Sequence, residues 1–495
     1  MSATATRPDE SSANTLLKRF TAIPLKWRFV GFITLLAIAP LFTNNNYILR
    51  ILGNVCMFST LAVALNVVVG YAGLLDLGFV AFFGLGAYLY GLLSSPQLSA
   101  LINACLGDRA SAEFLFIVPG WFSLIVVALV SVGFGLSLGS PSLRLSGDYL
   151  AIVTLGFGLI FVQLSNTLDR VEFPGCQQPL NLTGGANGLL NIEPLRFFGF
   201  ELQTVTHYFY ALLIWMGIVL IAVHRLNQSR LGRAWRSMGE DALAAEIMGM
   251  PTRRLKLLAF ATGSAISGVT GGIFAAWQGS AFPQNFSVDV LINMYAMMVL
   301  GGIGNLAGSV LGASVLSIIP ELLRSPELIR MIFYVGLGAG LMLVKPRRNG
   351  LAVLIGVIVF GLIVKWIVGA AAPDLLSGPT LKVAAESIST AFERFSQQFG
   401  IFVQGWILLL KDSTLIGNLA FVVLVPALIA LSRLKASRLK LIVTVPVLYL
   451  LAFVWESRLT AEPAVTRLLL VGSLLVVMMI FRPHGLLGQR KVEIA

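Results

Sequence analysis

The residues able to do chemistry in this chain are few, and most of them sit together between Ser229 and Phe260. That stretch reads SRLGRAWRSMGEDALAAEIMGMPTRRLKLLAF. It carries Arg230, Arg233, Arg236, Arg253, Arg254 and Lys256, with Glu240, Asp241 and Glu246 between the two basic groups. The pattern suits docking rather than bond making. Asp241 is a good N-cap for a short helix over Ala242 to Met248, Gly249 suits the position just past its end, and Pro251 cannot easily continue it. Leu243 with Ile247, and Ala244 with Met248, stand four apart, which gives that helix one small apolar face. Two uses of such a face stand side by side: insertion into a groove on a partner, and rest on a membrane surface.

Other chemistries find no constellation. A phosphate-binding loop needs G-x-x-x-x-G-K-[ST]. The nearest stretch, Gly263 to Thr270, has Val269 where the lysine belongs and lies in an apolar run, so its glycines are read as helix packing. His207, His224 and His484 are scattered without metal-ligand spacing, and no metal site is expected. Enzymatic activity is therefore not expected. Cys105 and Cys176 both fall in segments expected outside the membrane and are a possible disulfide in an oxidising compartment, while Cys56 lies within a span.

The elements that must position the polar stretch are oily. Hydrophobic residues make up 57% of the 495 and charged residues 12%, about half the share usual in soluble domains. A polar island this long in such a chain cannot lie in hydrocarbon, and is read as a loop in water. We count about 14 apolar runs long enough to cross a bilayer or nearly so. They lie near 29–43, 47–69, 73–93, 114–137, 149–166, 205–224, 257–277, 288–303, 305–322, 329–345, 350–370, 414–432, 440–455 and 467–482. The run at 73–93 and the pair flanking Gly301 to Gly304 are candidates for broken or re-entrant segments. The fold class is all-α, a polytopic membrane bundle with about 10 core spans and about 4 extra ones near the C-terminus.

Orientation follows from basic residues. With the N-terminus inside, Arg144, the island, Lys345 to Arg348, Arg433 to Lys440 and Arg482 to Lys491 all fall in cytoplasmic segments. The net charge of +12 is thus a topology signal, not a nucleic-acid-binding surface. Lys18, Arg19, Lys26 and Arg28 precede the first apolar run, and Ala37-Ile38-Ala39 mimics a cleavage site. Pro40 after it and the long leader favour an uncleaved span.

Within the oily part, Asp76 is the residue of most interest, because charge there must be paired, capped or faced to a water-filled path. It is either beside a translocation path or a cap for backbone freed by the glycines around it. Asn66, Gln163 and Asn293 are interhelical hydrogen-bond candidates. Gly304, Gly308 and Gly312 recur every four residues, as do Gly263, Ser267 and Gly271, and Gly336 and Gly340. Such faces pack closely against neighbouring helices.

Several stretches, in order, resemble one family. NVVVGYAGLLDLG over Asn66 to Gly78, AFFGLGAY over Ala81 to Tyr88 and SGDYLAIVTLGFG over Ser146 to Gly158 look like branched-chain amino acid permeases of the LivM type. LTGGANG from Leu182, VLGGIG from Val299 and RPHGLL from Arg482 agree in order. Ala244-Ala245-x-x-x-Gly249 fits the coupling loop of ABC-importer permeases, with Leu243 where that loop usually has Glu.

The resemblance implies a permease core over 29–345 with residues 1–28 as a cytoplasmic tail and 225–256 as a cytoplasmic coupling loop. Gly239, Glu240, Asp241, Leu243, Ala244, Ala245, Glu246 and Gly249 would meet the ATPase, and Asn66, Tyr71, Asp76, Gly78, Gly84 and Gly86 would line the path or a helix break. It implies a homologous second permease, two cytoplasmic ATPases that use ATP and Mg, a periplasmic binding protein and membrane lipid as partners. No cofactor is expected in this chain. The expected cargo is branched-chain or other hydrophobic amino acids, imported across a bacterial inner membrane. Urea or short amides are the alternative, and an ion-coupled secondary transporter is the contrasting class. The family's closing pattern, a glycine-bearing span followed by a basic residue, Pro and Gly-Leu, occurs twice, from Tyr334 to Leu351 and again from Val471 to Leu486. The residues between, 346–466, form an extra membrane segment of unassigned role before the terminal span and tail, 467–495. Ala384, Ile388, Ala391 and Phe395 in it fit one face of an interfacial helix.

Overall fold

The computed structural model describes residues 25–42, 45–98, 118–142, 148–172, 179–197, 199–324, 326–343, 347–371, 391–408, 413–433, 437–482 and 485–488. Cys105 and Cys176 lie outside these residues. Apolar runs become helices because a backbone in lipid must satisfy its own polar groups. The core helices are α1 (Leu25–Phe42), α2 (Asn46–Asn66), α3 (Phe79–Leu93), α4 (Gly120–Ser142), α5 (Asp148–Thr167) and α6 (Val205–Gln228). They continue with α7 (Arg230–Glu240), α8 (Ala242–Ile247), α9 (Thr252–Gln278), α10 (Val288–Gly301) and α11 (Leu306–Leu322). After these come α12 (Pro326–Leu343), α13 (Arg347–Ala371), α14 (Ala391–Trp406), α15 (Ser413–Arg433), α16 (Ser437–Ala461) and α17 (Pro463–Phe481). Seven helices among the described residues are long and apolar enough to cross a membrane by themselves, and the chain is a polytopic helical membrane bundle.

Contacts divide the chain into two units. The first holds residues up to Ile318 and Leu475 onward, and the second runs from Ile319 to Leu474. In the first unit α9 is the central post, packed along α3 and α4 and touching α2. Its glycines set the approach: a Cβ on Gly271 would collide with the Phe83 carbonyl, and one on Gly268 with Ser131. On the opposite side from the polar island, β1 (Leu189–Leu190) pairs antiparallel with β4 (Ser280–Ala281), and β2 (Arg196–Phe197) with β3 (Phe200–Glu201).

The second unit has its own packing. Val353, Val357, Val403, Trp406, Ile407, Tyr449 and Ala452 from α13, α14 and α16 form one core, with Ile407 just past the end of α14. A further core joins Leu424 of α15 to Val447, Phe453 and Val454 of α16. Arg330 of α12 and Glu456 of α16 form a buried ion pair, Nε to Oε1 at 2.7 Å and Nη2 to the same oxygen at 2.6 Å.

Four points of the sequence reading gain detail here. The run 73–93 begins its helix only at Phe79, because the chain up to Gly78 is a break. The helix carrying Phe395 runs from Ala391 to Trp406, with Phe395, Ile401 and Phe402 exposed and Val403, Gln404 and Trp406 buried. Positions 384 and 388 lie outside the described residues. Among the described residues Gly336 and Gly340 meet nothing within 4 Å, so that pair makes no close helix contact there. Gly350 and Leu351, from the first copy of the closing pattern, are simply part of α13.

Candidate functional site

The polar island is helical rather than a loop, built from α7, α8 and the ends of α6 and α9. Asp241 closes α7 and caps α8. Its Oδ1 accepts from the amides of Leu243 and Ala244, both at 2.9 Å. Gly249 ends α8 with φ of +82°, a left-handed backbone that favours glycine. Of α8, Ala245 is buried and faces inward, while Leu243, Ile247 and the following Met248 are 69%, 77% and 80% exposed. The apolar face expected from spacing therefore exists and points away from the chain.

The island's anchor was not legible as such. Trp235 is buried, and its indole donates to the Leu255 carbonyl at 2.8 Å, tying α7 to the first turn of α9. Arg233 donates to the Gln228 carbonyl and Arg236 to that of Asn227. These cations satisfy carbonyls at the C-terminal end of α6, where a helix leaves them unpaired and its dipole is negative. Part of the basic charge is thus spent inside the fold.

Next to the island lies the first helix break. From Val67 to Tyr71 the backbone of α2 widens into a π-helical turn, and the chain does not resume as helix until Phe79. Gly73 turns with φ of +68°, and a Cβ there would lie 2.9 Å from the Cα of Gly239 at the end of α7. A Cβ on Gly239 would in turn lie 2.7 Å from the Tyr71 carbonyl. Two glycines therefore let the island and the break touch backbone to backbone.

Two distant helices hold this break. Thr154 of α5 accepts from the Leu77 amide at 2.9 Å, and Tyr295 of α10 donates to the Asp76 carbonyl at 2.6 Å. Asp76 itself is 1% exposed, and its Oδ1 accepts from the Gly78 amide at 2.9 Å. Its geometry is that of a cap, and its second oxygen, Oδ2, is buried as well.

Asn66 reaches the second break. Its Oδ1 accepts from the Gly304 amide at 2.8 Å, and a Cβ on Gly70 would lie 2.7 Å from that same nitrogen. Gly304, with φ of +79°, lies in the turn between α10 and α11 and not on a helix face. The expected three-glycine face is therefore two residues long. Gly308 and Gly312 do pack closely, against Gly301 and Met297 of α10.

Of the residues singled out from sequence, Asn66, Tyr71, Asp76 and Gly78 come together at the first break. Gly84 and Gly86 do not: they lie within α3, Gly84 beneath Phe161 and Phe286 and Gly86 against the Gly268 backbone. Residues missed from sequence are Thr154, Tyr295 and Asn305. Thr154 and Tyr295 sit in apolar runs with nothing local to mark them, whereas Asn305 stands just before α11, where an N-cap is expected.

Residues 47–335 match the family described as "Branched-chain amino acid transport system / permease component". The high-affinity branched-chain amino acid transport system permease protein LivM of Salmonella typhimurium is 33% identical over 317 residues, 59% of this chain and 67% of that protein. LivH of the same organism, a permease protein of the same transport system, is 22% identical over 53% of this chain and 80% of its own length. The fructose import permease protein FruG of Bifidobacterium longum is 24% identical over 48% of this chain and 76% of its own. No solved structure matches the chain.

Proposed function

We propose a function from the premise that this chain belongs to the family of branched-chain amino acid ABC transporter permeases. The chain imports branched-chain or other hydrophobic amino acids across a bacterial inner membrane, with both termini in the cytoplasm. It performs no bond chemistry. Two separate cytoplasmic ATPases, using ATP and Mg, supply the energy, and a periplasmic binding protein delivers the cargo. A second, homologous permease completes the path, as LivM and LivH are both permease proteins in their own system. The stronger similarity to LivM than to a fructose permease favours amino acids as cargo.

The observation that carries this reading is the apolar face of α8 set directly behind the first break. Leu243, Ile247 and Met248 are exposed at one end of the island, and Gly239 touches Gly73 at the other. An ATPase that grips α8 and moves it would push on a segment already lacking helical hydrogen bonds. Such a segment yields at lower cost than a regular helix. The gap left by the usual Glu is filled here by Leu243, so the grip is apolar at that position.

The test is uptake of labelled leucine into vesicles carrying the complete transporter. Uptake that needs ATP and survives a protonophore supports the proposal, as does co-purification with an ATPase. Uptake abolished by the protonophore at full ATP would replace it with an ion-coupled transporter.

A further inference from the structure

The second break is closed by the far end of the chain. Helix α10 stops at Gly301, which leaves the carbonyls of its last turn without helical partners. The segment after α17 returns to them. Leu486 donates its amide to the Leu300 carbonyl at 2.8 Å, and Leu487 donates to that of Gly301 at 3.0 Å. Gly485 makes the approach possible. Its φ is +78°, and a Cβ there would lie 2.6 Å from both the Gly302 nitrogen and the Val299 oxygen.

Asn305 joins the two sides. Its Oδ1 accepts from the amides of Ala307 and Gly308, at 3.0 and 3.2 Å, and so caps α11. Its Nδ2 donates to the Leu487 carbonyl at 2.6 Å. One side chain thus starts α11 and holds the terminal segment at once. One residue back, Gly304 is held by Asn66, so the terminal segment and the first break grip the same turn from two sides.

We infer that Gly485 to Leu487 form a clamp that positions the α10–α11 break for transport, with Asn305 as its latch. The clamp fixes the turn against which the first break moves when α8 is driven. It also assigns a role to the second copy of the closing pattern, whereas Gly350 and Leu351 of the first copy lie within α13. The role in transport rests on the permease reading; the closure of the break by the terminal segment does not.

Two substitutions separate the parts. Gly485→Ala cannot keep the left-handed turn or its contacts and expels the clamp. Asn305→Asp keeps the oxygen that caps α11 but removes the donor to Leu487. Gly472→Ala in α17, where nothing lies within 4 Å, is the control. Amide hydrogen exchange on the complete transporter in nanodiscs reads the clamp directly. Leu486 and Leu487 are expected to exchange slowly in the wild type and the control, and at least about tenfold faster in both variants. Ala307 and Gly308 should stay protected in Asn305→Asp.

Leucine taken up per ATP hydrolysed, in the same preparations, reads positioning. It is expected to fall at least about fivefold in both variants, because a loosened turn no longer transmits motion. Fast exchange at Leu486 and Leu487 in the wild type would overturn the clamp. Faster exchange in the variants with unchanged uptake per ATP would reduce it to a structural tie and overturn the positioning role. If the wild type itself takes up no leucine, the cargo assignment fails while the exchange result still decides whether the break is clamped.

Discussion

Replacing Leu243 and Ile247 together by Ala tests whether α8 is gripped through its apolar face. The two side chains are 69% and 77% exposed, so roughly three quarters of each remains to be covered by a partner. Full burial of a Leu or Ile stabilises by about 1.5–3 kcal/mol, which leaves about 1–2 kcal/mol for each here. Removing both should cost about 2–4 kcal/mol of docking, or about 30- to 1000-fold in Kd. The chain's own stability should change by less than about 0.5 kcal/mol, since Ala is a good helix former and exposed sites tolerate change. Titration of the purified ATPase against the permease in nanodiscs measures the first quantity, and thermal unfolding the second. Wild-type affinity in the double variant would refute the grip. A weakened affinity accompanied by a Tm drop of several degrees would show that the face supports folding instead.

Three further outcomes are expected. Asp241→Ala removes both capping hydrogen bonds to Leu243 and Ala244 and should cost α8 about 1 kcal/mol, seen as faster amide exchange there, while Asp241→Asn should retain most of it. Asp76→Asn keeps an oxygen for the Gly78 amide and should assemble and transport as the wild type does; loss of uptake with intact assembly would show that the charge itself is needed. In the second unit, Arg330→Met alone strands the Glu456 carboxylate and should cost about 3–5 kcal/mol, whereas Arg330→Met with Glu456→Leu should unfold close to the wild-type temperature.

The helices were legible because apolar runs in a membrane have one local solution, and α8 was legible because its caps, Asp241 and Gly249, act within a few residues. The two breaks were legible as candidates, at 73–93 and at Gly301 to Gly304, but their conformation was not. Gly70 to Gly78 has no periodicity of its own, so its conformation is decided by partners far along the chain. Thr154 is 77 residues from Leu77, and Tyr295 is 219 from Asp76. Asn66 was singled out as an interhelical hydrogen-bonding residue, but not its partner Gly304, 238 residues away. The arginines of α7 misled in another way. Their charge marked the island as lying in water, while two of them turn back to satisfy the end of α6.

The distance between Asn305 and Leu487 also sets a schedule. The two positions are 182 residues apart, so at about 5–20 residues per second the ribosome takes about 10–40 s to deliver the terminal segment after Asn305 has been made. During that interval the end of α10 is already synthesised with its Leu300 and Gly301 carbonyls lacking their final donors. The nascent permease therefore completes its second break last, after the whole second unit has been inserted. Synthesis that stops short leaves an unfinished helix end for the cell's proteases to find.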